Sequence, residues 1–297
     1  MNVATKPNKA VNHVLTATIV LLFITGAVIF FYPFIANAIN TYYANQMVET
    51  VQKEANDQFL KEKKARLRKE KKAAQETAAK QVIGLTEDMF DVDESDYRPL
   101  SKEDYQKHLI GSVYIPKISV GLPLFDETTD DLLEQGATLL QGTSYPTGGY
   151  STHSVITSHS GLPEKKLFTD LEKLKVGDYF LVNNLDKTMK YEIESIKEVL
   201  PTETDDLVIQ EGKDMMTLLT CTPYMINTHR LLVTGHRVPY TEDEANKEIS
   251  SVKKSQQKDY YLLLLIILIV FTFFIWWLRN RVLIKEDKRG YENEKRK

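Results

Sequence analysis

A single cysteine, Cys221, among 297 residues excludes an internal disulfide as a source of stability. Neither sign of charge prevails. With 38 Lys and Arg against 41 Asp and Glu the formal net charge is −3, which by itself points to no nucleic acid or other polyanion as partner. The chain also lacks internal repeats, a glycine-rich loop able to cradle phosphate, and paired metal-ligand spacings, so no nucleotide or metal cofactor is implied. Glycine and proline are missing from residues 40–82, which leaves helix as the natural state there. Charge is missing altogether from two apolar runs, 14–35 and 260–278.

Each run is long enough to cross a hydrocarbon layer of roughly 30 Å as a helix rising about 1.5 Å per residue, so a purely soluble protein is excluded. Lys6 and Lys9 precede the first run without an acid. Eight basic residues from Arg279 to Lys297 follow the second, against four acids. Lys and Arg near a span stay inside, so both termini are expected in the cytoplasm and residues 36–259, with a net charge of −9, outside. Tyr260, Tyr261, Trp276 and Trp277 bracket the second run as interfacial anchors. Ala36-Asn37-Ala38 has the form that signal peptidases read. The run before it nevertheless exceeds the roughly 7–15 residues of a signal h-region, which favours an uncleaved anchor.

The outer segment changes texture twice. Residues 36–108 begin as a charged, alanine-rich stretch, including Lys61-Glu-Lys-Lys-Ala-Arg-Leu-Arg-Lys-Glu-Lys-Lys72, that reads as a solvated helical stalk or, less simply, a basic patch for anionic wall polymers. An acidic linker follows at residues 87–96, without the glycine of a calcium loop. From 109 to 240 short β-prone runs dominate, at 113–115, 154–157, 179–182, 190–196, 216–220 and 230–234. Helical patterns are confined to 129–135 and 164–174. Strands this many and this short, with little room for crossover helices, predict a mainly β domain with a few short helices: a closed or nearly closed antiparallel barrel. The remaining segments are a cytoplasmic N-terminus (1–13), a linker (241–259) and a basic cytoplasmic tail (279–297).

Cys221 ends the run 216–220 and opens the segment Thr222-Pro-Tyr-Met-Ile-Asn-Thr228, after which the next strand begins at Arg230. Antiparallel neighbours joined by such a loop set thiol and guanidinium side by side at one barrel end. On its own a lone exported thiol reads as a small core residue. Reactivity requires a base or proton donor nearby, and acyl transfer requires a donor for the oxyanion, which Arg supplies as a permanently charged fork. Of six histidines, His13 belongs with the membrane segment and His108 with the linker. His153, His159, His229 and His236 remain, and His159 leads because it follows the strand 154–157 at the start of a loop.

The segment Thr220-Cys-Thr-Pro-Tyr-Met-Ile-Asn-Thr-His-Arg-Leu-Leu-Val-Thr-Gly-His-Arg237 resembles the Cys-to-Arg segment of class C, or pilus-associated, sortases of Gram-positive bacteria. Ile115-Pro-Lys-Ile118, Gly142-Thr-Ser144, Thr152-His-Ser-Val-Ile-Thr157, His159-Ser-Gly-Leu-Pro163 and Leu167-Phe-Thr-Asp-Leu171 agree in order and spacing over residues 110–240. The resemblance implies a sortase-type closed antiparallel β-barrel of about eight strands and a cysteine transpeptidase with His159, Cys221 and Arg230 as catalytic residues, needing neither ATP nor metal. It further implies an enzyme of the cell membrane with its catalytic domain outside, acting on pilin precursors with LPxTG-like sorting signals. The thioacyl-enzyme passes its acyl group to a pilin lysine, polymerising pili. Two alternatives stay open: a sortase that anchors proteins to a peptidoglycan amine, and a non-catalytic membrane-tethered surface protein in which Cys221 is merely packed.

Two departures from the family's pattern stand out. Gly-His-Arg around the histidine is replaced by Ser158-His159-Ser160. The Asp-Pro-aromatic anchor of the family's N-terminal lid is absent before residue 110, with Asp88-Met89-Phe90 the nearest substitute. Without the proline that stiffens such a turn, an open or loosely covered site with a reachable thiol is expected.

Overall fold

The short β-prone runs after residue 108 close on themselves. The computed structural model describes residues 9–54, 65, 69, 101–184 and 187–294. Its strands are β1 (Leu109–Ile115), β2 (Val120–Phe125), β3 (Ala137–Leu139), β4 (Thr152–Thr157), β5 (Tyr179–Asn184), β6 (Thr188–Val199), β7 (Asp214–Thr222) and β8 (His229–Val238). They form a closed barrel in the order β1-β2-β3-β4-β7-β8-β6-β5, which removes both sheet edges, as expected. The expectation of a purely antiparallel barrel is corrected, because β2 with β3 and β4 with β7 run parallel. Residues 126–136 and 200–213 intervene before β3 and β7, the second carrying the chain from one end of the barrel to the other, so these strands do not fold back as hairpins. At the upper end β1, β4, β6 and β7 finish and β2, β5 and β8 start, while the short β3 begins opposite the last residues of β2.

Two strands escape the sequence pattern. Gly121 and Pro123 interrupt β2, yet β3 pairs with it only at Leu124 and Phe125. At Pro123 the β3 side of the strand therefore has no ladder for a missing N–H to break. β3 has three residues, too few to show a period. β1 begins four residues earlier than expected because Gly111 lets β5 approach: a Cβ there would lie 2.1 Å from the Asn183 carbonyl oxygen.

Alternate side chains along the strands divide between two apolar layers. Val113, Leu124, Ile156, Phe180, Leu218 and Val233 point into the barrel, where Phe180 stacks on Tyr191 with ring centroids 5.6 Å apart. Val155, Leu219 and Leu232 point outward and are covered by Leu140, Val199 and Leu207, the last from the connection 200–213. This outer layer underlies the candidate site.

Among the described residues the barrel is accompanied by the α-helices α1 (Lys9–Glu54), α2 (Lys102–His108), α3 (Asp130–Gln135) and α4 (Glu242–Glu294). Ser101 caps α2, its hydroxyl accepting from the Asp104 amide at 3.0 Å. α3 meets the expectation for 129–135. The helix expected over 164–174 reduces to a 3₁₀ turn at Leu171–Lys173, because Leu167 takes a φ of 40° and breaks the right-handed path.

The first compact unit spans Met1–Lys253. Within it α1 continues past its apolar run onto the barrel. Asn37 Oδ1 accepts from the Lys166 amide at 2.8 Å and Asn40 Nδ2 donates to the Glu164 carbonyl at 3.3 Å. Further along, Met47 and Val48 join Tyr105, Leu109, Phe125 and Leu132, and Glu49 pairs with Lys253 at 2.9 Å. Residues 37–49 are thus docked rather than forming a free stalk, since Met47 and Val48 supply an apolar stripe hidden by the charged average. The basic run 61–72 apart from Ala65 and Lys69, the acidic linker and Asp88-Met89-Phe90 lie outside the described residues. The second unit, Lys254–Lys297, holds the rest of α4 with its apolar run. α1 and α4 are both long and apolar enough to cross a membrane.

Candidate active site

β7 and β8 pair antiparallel with Cys221 directly opposite Arg230. On the other side of β7, β4 runs parallel with Thr157 opposite Leu219. Past the end of β4 the chain stays beside β7. The Ser158 amide donates to the Leu219 carbonyl at 3.2 Å, Thr220 Oγ1 to the Ser158 carbonyl at 2.8 Å, and Ser160 Oγ to the Cys221 carbonyl at 2.6 Å. Two residues beyond the Thr157–Leu219 pair this register sets His159 beside Cys221. All three positions have the parity of the outward layer, so His159, Cys221 and Arg230 form one row across β4's extension, β7 and β8 at the upper end. Each is buried, at 4%, 4% and 3% exposure.

The flanking groups fix this row. Ser158 Oγ donates to the Gly136 carbonyl at 2.8 Å, holding the histidine segment against the start of β3. Arg230 Nη1 donates to the carbonyls of Asn227 at 2.9 Å and His229 at 3.1 Å, which orients the guanidinium from its own loop. The two serines that replace the family's Gly and Arg around the histidine therefore act as clamps. Short polar residues at a strand end give no local sequence signal for that role.

Cys221 lies inside β7, one residue before its end, rather than opening the loop. The expectation of a readily reached thiol is corrected accordingly. Burial pushes the thiol up to about 11 from its ordinary 9.0, with Arg230 drawing it partly back. Burial also depresses His159 below its ordinary 6.5; Glu134 and Asp130 oppose the shift and Lys165 adds to it. The resting pair is therefore a neutral thiol beside a neutral imidazole.

The other barrel histidines have structural partners. His108 Nδ1 lies 2.9 Å from Asp126 and His236 Nδ1 3.1 Å from Glu194, while His229 Nδ1 meets Thr228 Oγ1 at 3.0 Å. His153 is fully buried in the wall. Its Nδ1 donates to the Val208 carbonyl at 3.0 Å, so Nε2 accepts from Thr217 Oγ1 at 2.7 Å, and Thr217 in turn meets Thr234 Oγ1 at 2.8 Å. That chain ties the connection 200–213 to β7 and β8 below the site. Among the described residues no cluster of three His, Cys, Asp or Glu is placed to hold a metal ion.

A family profile described as Sortase domain matches residues 113–238. Sortase A of Bacillus anthracis is 30% identical over 134 residues, covering 45% of this chain and 61% of that protein. Sortase A of Streptococcus agalactiae serotype III (strain NEM316) is 29% identical over 150 residues, 50% of this chain and 58% of that protein. The chain thus spans less than two thirds of either relative. Among solved structures, sortase C-1 from Streptococcus pneumoniae shares 40% identity at a TM-score of 0.54, over 67% of this chain and all of the other. The pilus-related sortase C of Group B Streptococcus shares 39% at 0.52, over 66% and 97% of the two chains.

Proposed function

Because the chain belongs to the sortase family, in its class C, we propose that it is a membrane-anchored cysteine transpeptidase that cuts an LPxTG-like sorting signal and joins the acyl half to a lysine of a pilin subunit. The observation that carries this reading is the single buried row of His159, Cys221 and Arg230 on three adjacent strands.

In the first half-reaction His159 takes the Sγ proton of Cys221 as the sulfur attacks the Thr carbonyl of the signal. Arg230 stabilises the oxyanion. The C–N bond to Gly breaks and the imidazolium returns its proton to the departing amine, leaving a thioester. In the second, the lysine amine attacks the thioester, gives a proton to His159, and expels the sulfur, which recovers its proton. One amide is exchanged for another through two acyl transfers, so the sequence balances without an external energy source. The basic flanks of the two apolar helices support a topology with both termini in the cytoplasm and the barrel outside. Enzyme and membrane-held precursors then meet at high effective concentration.

The test pairs chemistry with biology. The purified barrel incubated with an LPxTG peptide is expected to gain the mass of the acyl fragment, and the Cys221→Ala variant is not. Deleting the gene should remove high-mass covalent ladders of pilin from the cell surface. Intact ladders with loss of individually anchored proteins would instead assign the acceptor amine to peptidoglycan.

A further inference from the structure

We propose that the upper end of the barrel, which carries the candidate site, rests against the lipid bilayer, with the β7–β8 connection and the turn before β5 dipping into its headgroup layer. The proposal rests on the membrane reading of α1 given above, and three observations within the first unit support it.

The first is the direction of α1. Its apolar run ends at Ile35, and Asn37, two residues or about 3 Å further along the axis, already holds the Lys166 amide. The segment 164–166 belongs to the upper end: Lys166 Nζ donates to the Ile118 carbonyl in the β1–β2 turn, and two residues on the Phe168 amide donates to the His159 carbonyl. From there α1 runs down the barrel until Met47 and Val48 meet the cluster of Leu109 and Phe125 at the lower end. The polar layer on each side of a bilayer is roughly 5–8 Å thick. A loop anchored about 3 Å beyond the apolar run therefore falls within it, and the bulk of the barrel extends away from the lipid.

The second is where apolar side chains remain exposed. Outside the long helices, Val176, Leu200, Tyr224, Met225 and Ile226 stand on connections at the upper end, whereas Tyr150 stands at the lower end and Val208 within the 200–213 connection. Met225 and Ile226 are 64% and 66% exposed and adjoin β7 just beyond Cys221. A bilayer interface is the partner whose chemistry matches such side chains at the place where a membrane helix enters the fold.

The third is charge. Exposed Lys117, Lys173, Lys175 and Lys197 at this end are accompanied by Glu172, Glu198, Asp170 and Asp206, the last two paired with Lys173 and Lys197, so the contact is apolar rather than electrostatic and does not depend on anionic lipid. The consequence for function is geometric: Cys221 meets its substrate within a few residues' length of the membrane surface.

The test uses the full chain carrying Cys221→Ala, reconstituted in phosphatidylcholine vesicles with and without phosphatidylglycerol. Single cysteines replace Met225, Ile226, Tyr150 or Ile24 and carry an environment-sensitive fluorophore. Headgroup-nitroxide lipid should quench labels at 225 and 226 several-fold more than the label at 150, equally in both lipid mixtures. Acyl-chain nitroxide should quench the label at 24. Quenching at 24 with labels at 225 and 226 no more quenched than 150 overturns the orientation alone. Absence of quenching at 24 overturns the anchoring reading and this inference with it.

Discussion

Burial sets the protonation of the candidate site before substrate arrives. With the thiol raised to about 11 and the imidazole lowered from 6.5, the singly protonated pair is the only state populated around neutrality. Whether the proton sits on sulfur or nitrogen at the moment of attack does not alter the profile, since both forms carry the same net proton. Peptide cleavage by the barrel is therefore expected to show a kcat/KM that is level from about pH 7 to about pH 10, falling on the acid side below 6.5 and on the alkaline side near 11. An alkaline limb near pH 8 would show that the thiol is not held in this buried state. The same shift acts on stability. The unfolded thiol ionises from about 9.0 while the folded one resists until about 11, so stability is complete below the first value and lost as pH rises through the second. In urea unfolding at pH 8 and pH 10.5, the native chain should lose more than Cys221→Ala does. Arg230→Lys should lower kcat about 10²-fold, the scale of removing one oxyanion donor, because one ammonium cannot keep the two loop carbonyls and also present a planar fork. The candidate residues are legible in the sequence mainly through the family resemblance of the segment 220–237; position alone sets Cys221 beside Arg230 and gives His159 a lead among four histidines. The groups that hold them are not. Ser158, Ser160 and Thr220 are ordinary strand-end residues, and only the parallel pairing of β4 with β7, strands about 60 positions apart, gives them partners.

Strand elements are visible in the sequence to the degree that their burial alternates. β6 alternates along much of its length and the β7–β8 pair is joined by a recognisable turn, so both were expected near their observed positions. β2 hides behind its own proline, β3 behind its brevity, and the helix expected over 164–174 was suggested by residues that in fact reach sideways, Lys165 to Glu134 and Lys166 to Asp170 and Ile118. The most consequential element is the outer part of α1, where two apolar side chains in a charged stretch dock a helix. Val48 is 5% exposed, and Val48→Ala removes two buried methyl groups, so unfolding of residues 36–253 in urea should show a loss of about 1.5 kcal/mol. An unchanged midpoint would mean that this part of α1 does not pack on the barrel. Ser160→Ala tests the clamp on β7 in the same way. It leaves the Cys221 carbonyl without its 2.6 Å donor, at a cost of about 1–3 kcal/mol if the oxygen stays buried, and should lower kcat more than it raises KM because the nucleophile's strand is what shifts.

At the scale of the whole molecule the anchoring helix and the site meet at one end of the barrel, and this arrangement predicts which substrates are within reach. β1 crosses the barrel in seven residues, about 20 Å at roughly 3.3 Å per residue. A site at the far end would need a substrate tether at least that long, some six extended residues, before its scissile bond reached Cys221. A site facing the lipid needs only a few. Peptides with an LPxTG-like signal, held in vesicles by a membrane helix and separated from it by spacers of three, six or twelve residues, should distinguish the two. The full chain in the same vesicles is expected to cut the three-residue spacer at least as fast as the twelve, because lengthening a flexible tether dilutes the signal near the site roughly as the −3/2 power of its length. The detached barrel, adding from solution, should favour the longest spacer, since a signal lying at the lipid surface obstructs a docking protein that has no membrane helix to orient it. If the full chain also cuts only the longer spacers, the site faces away from the membrane, and α1 serves to hold the barrel near its substrates without presenting it to them.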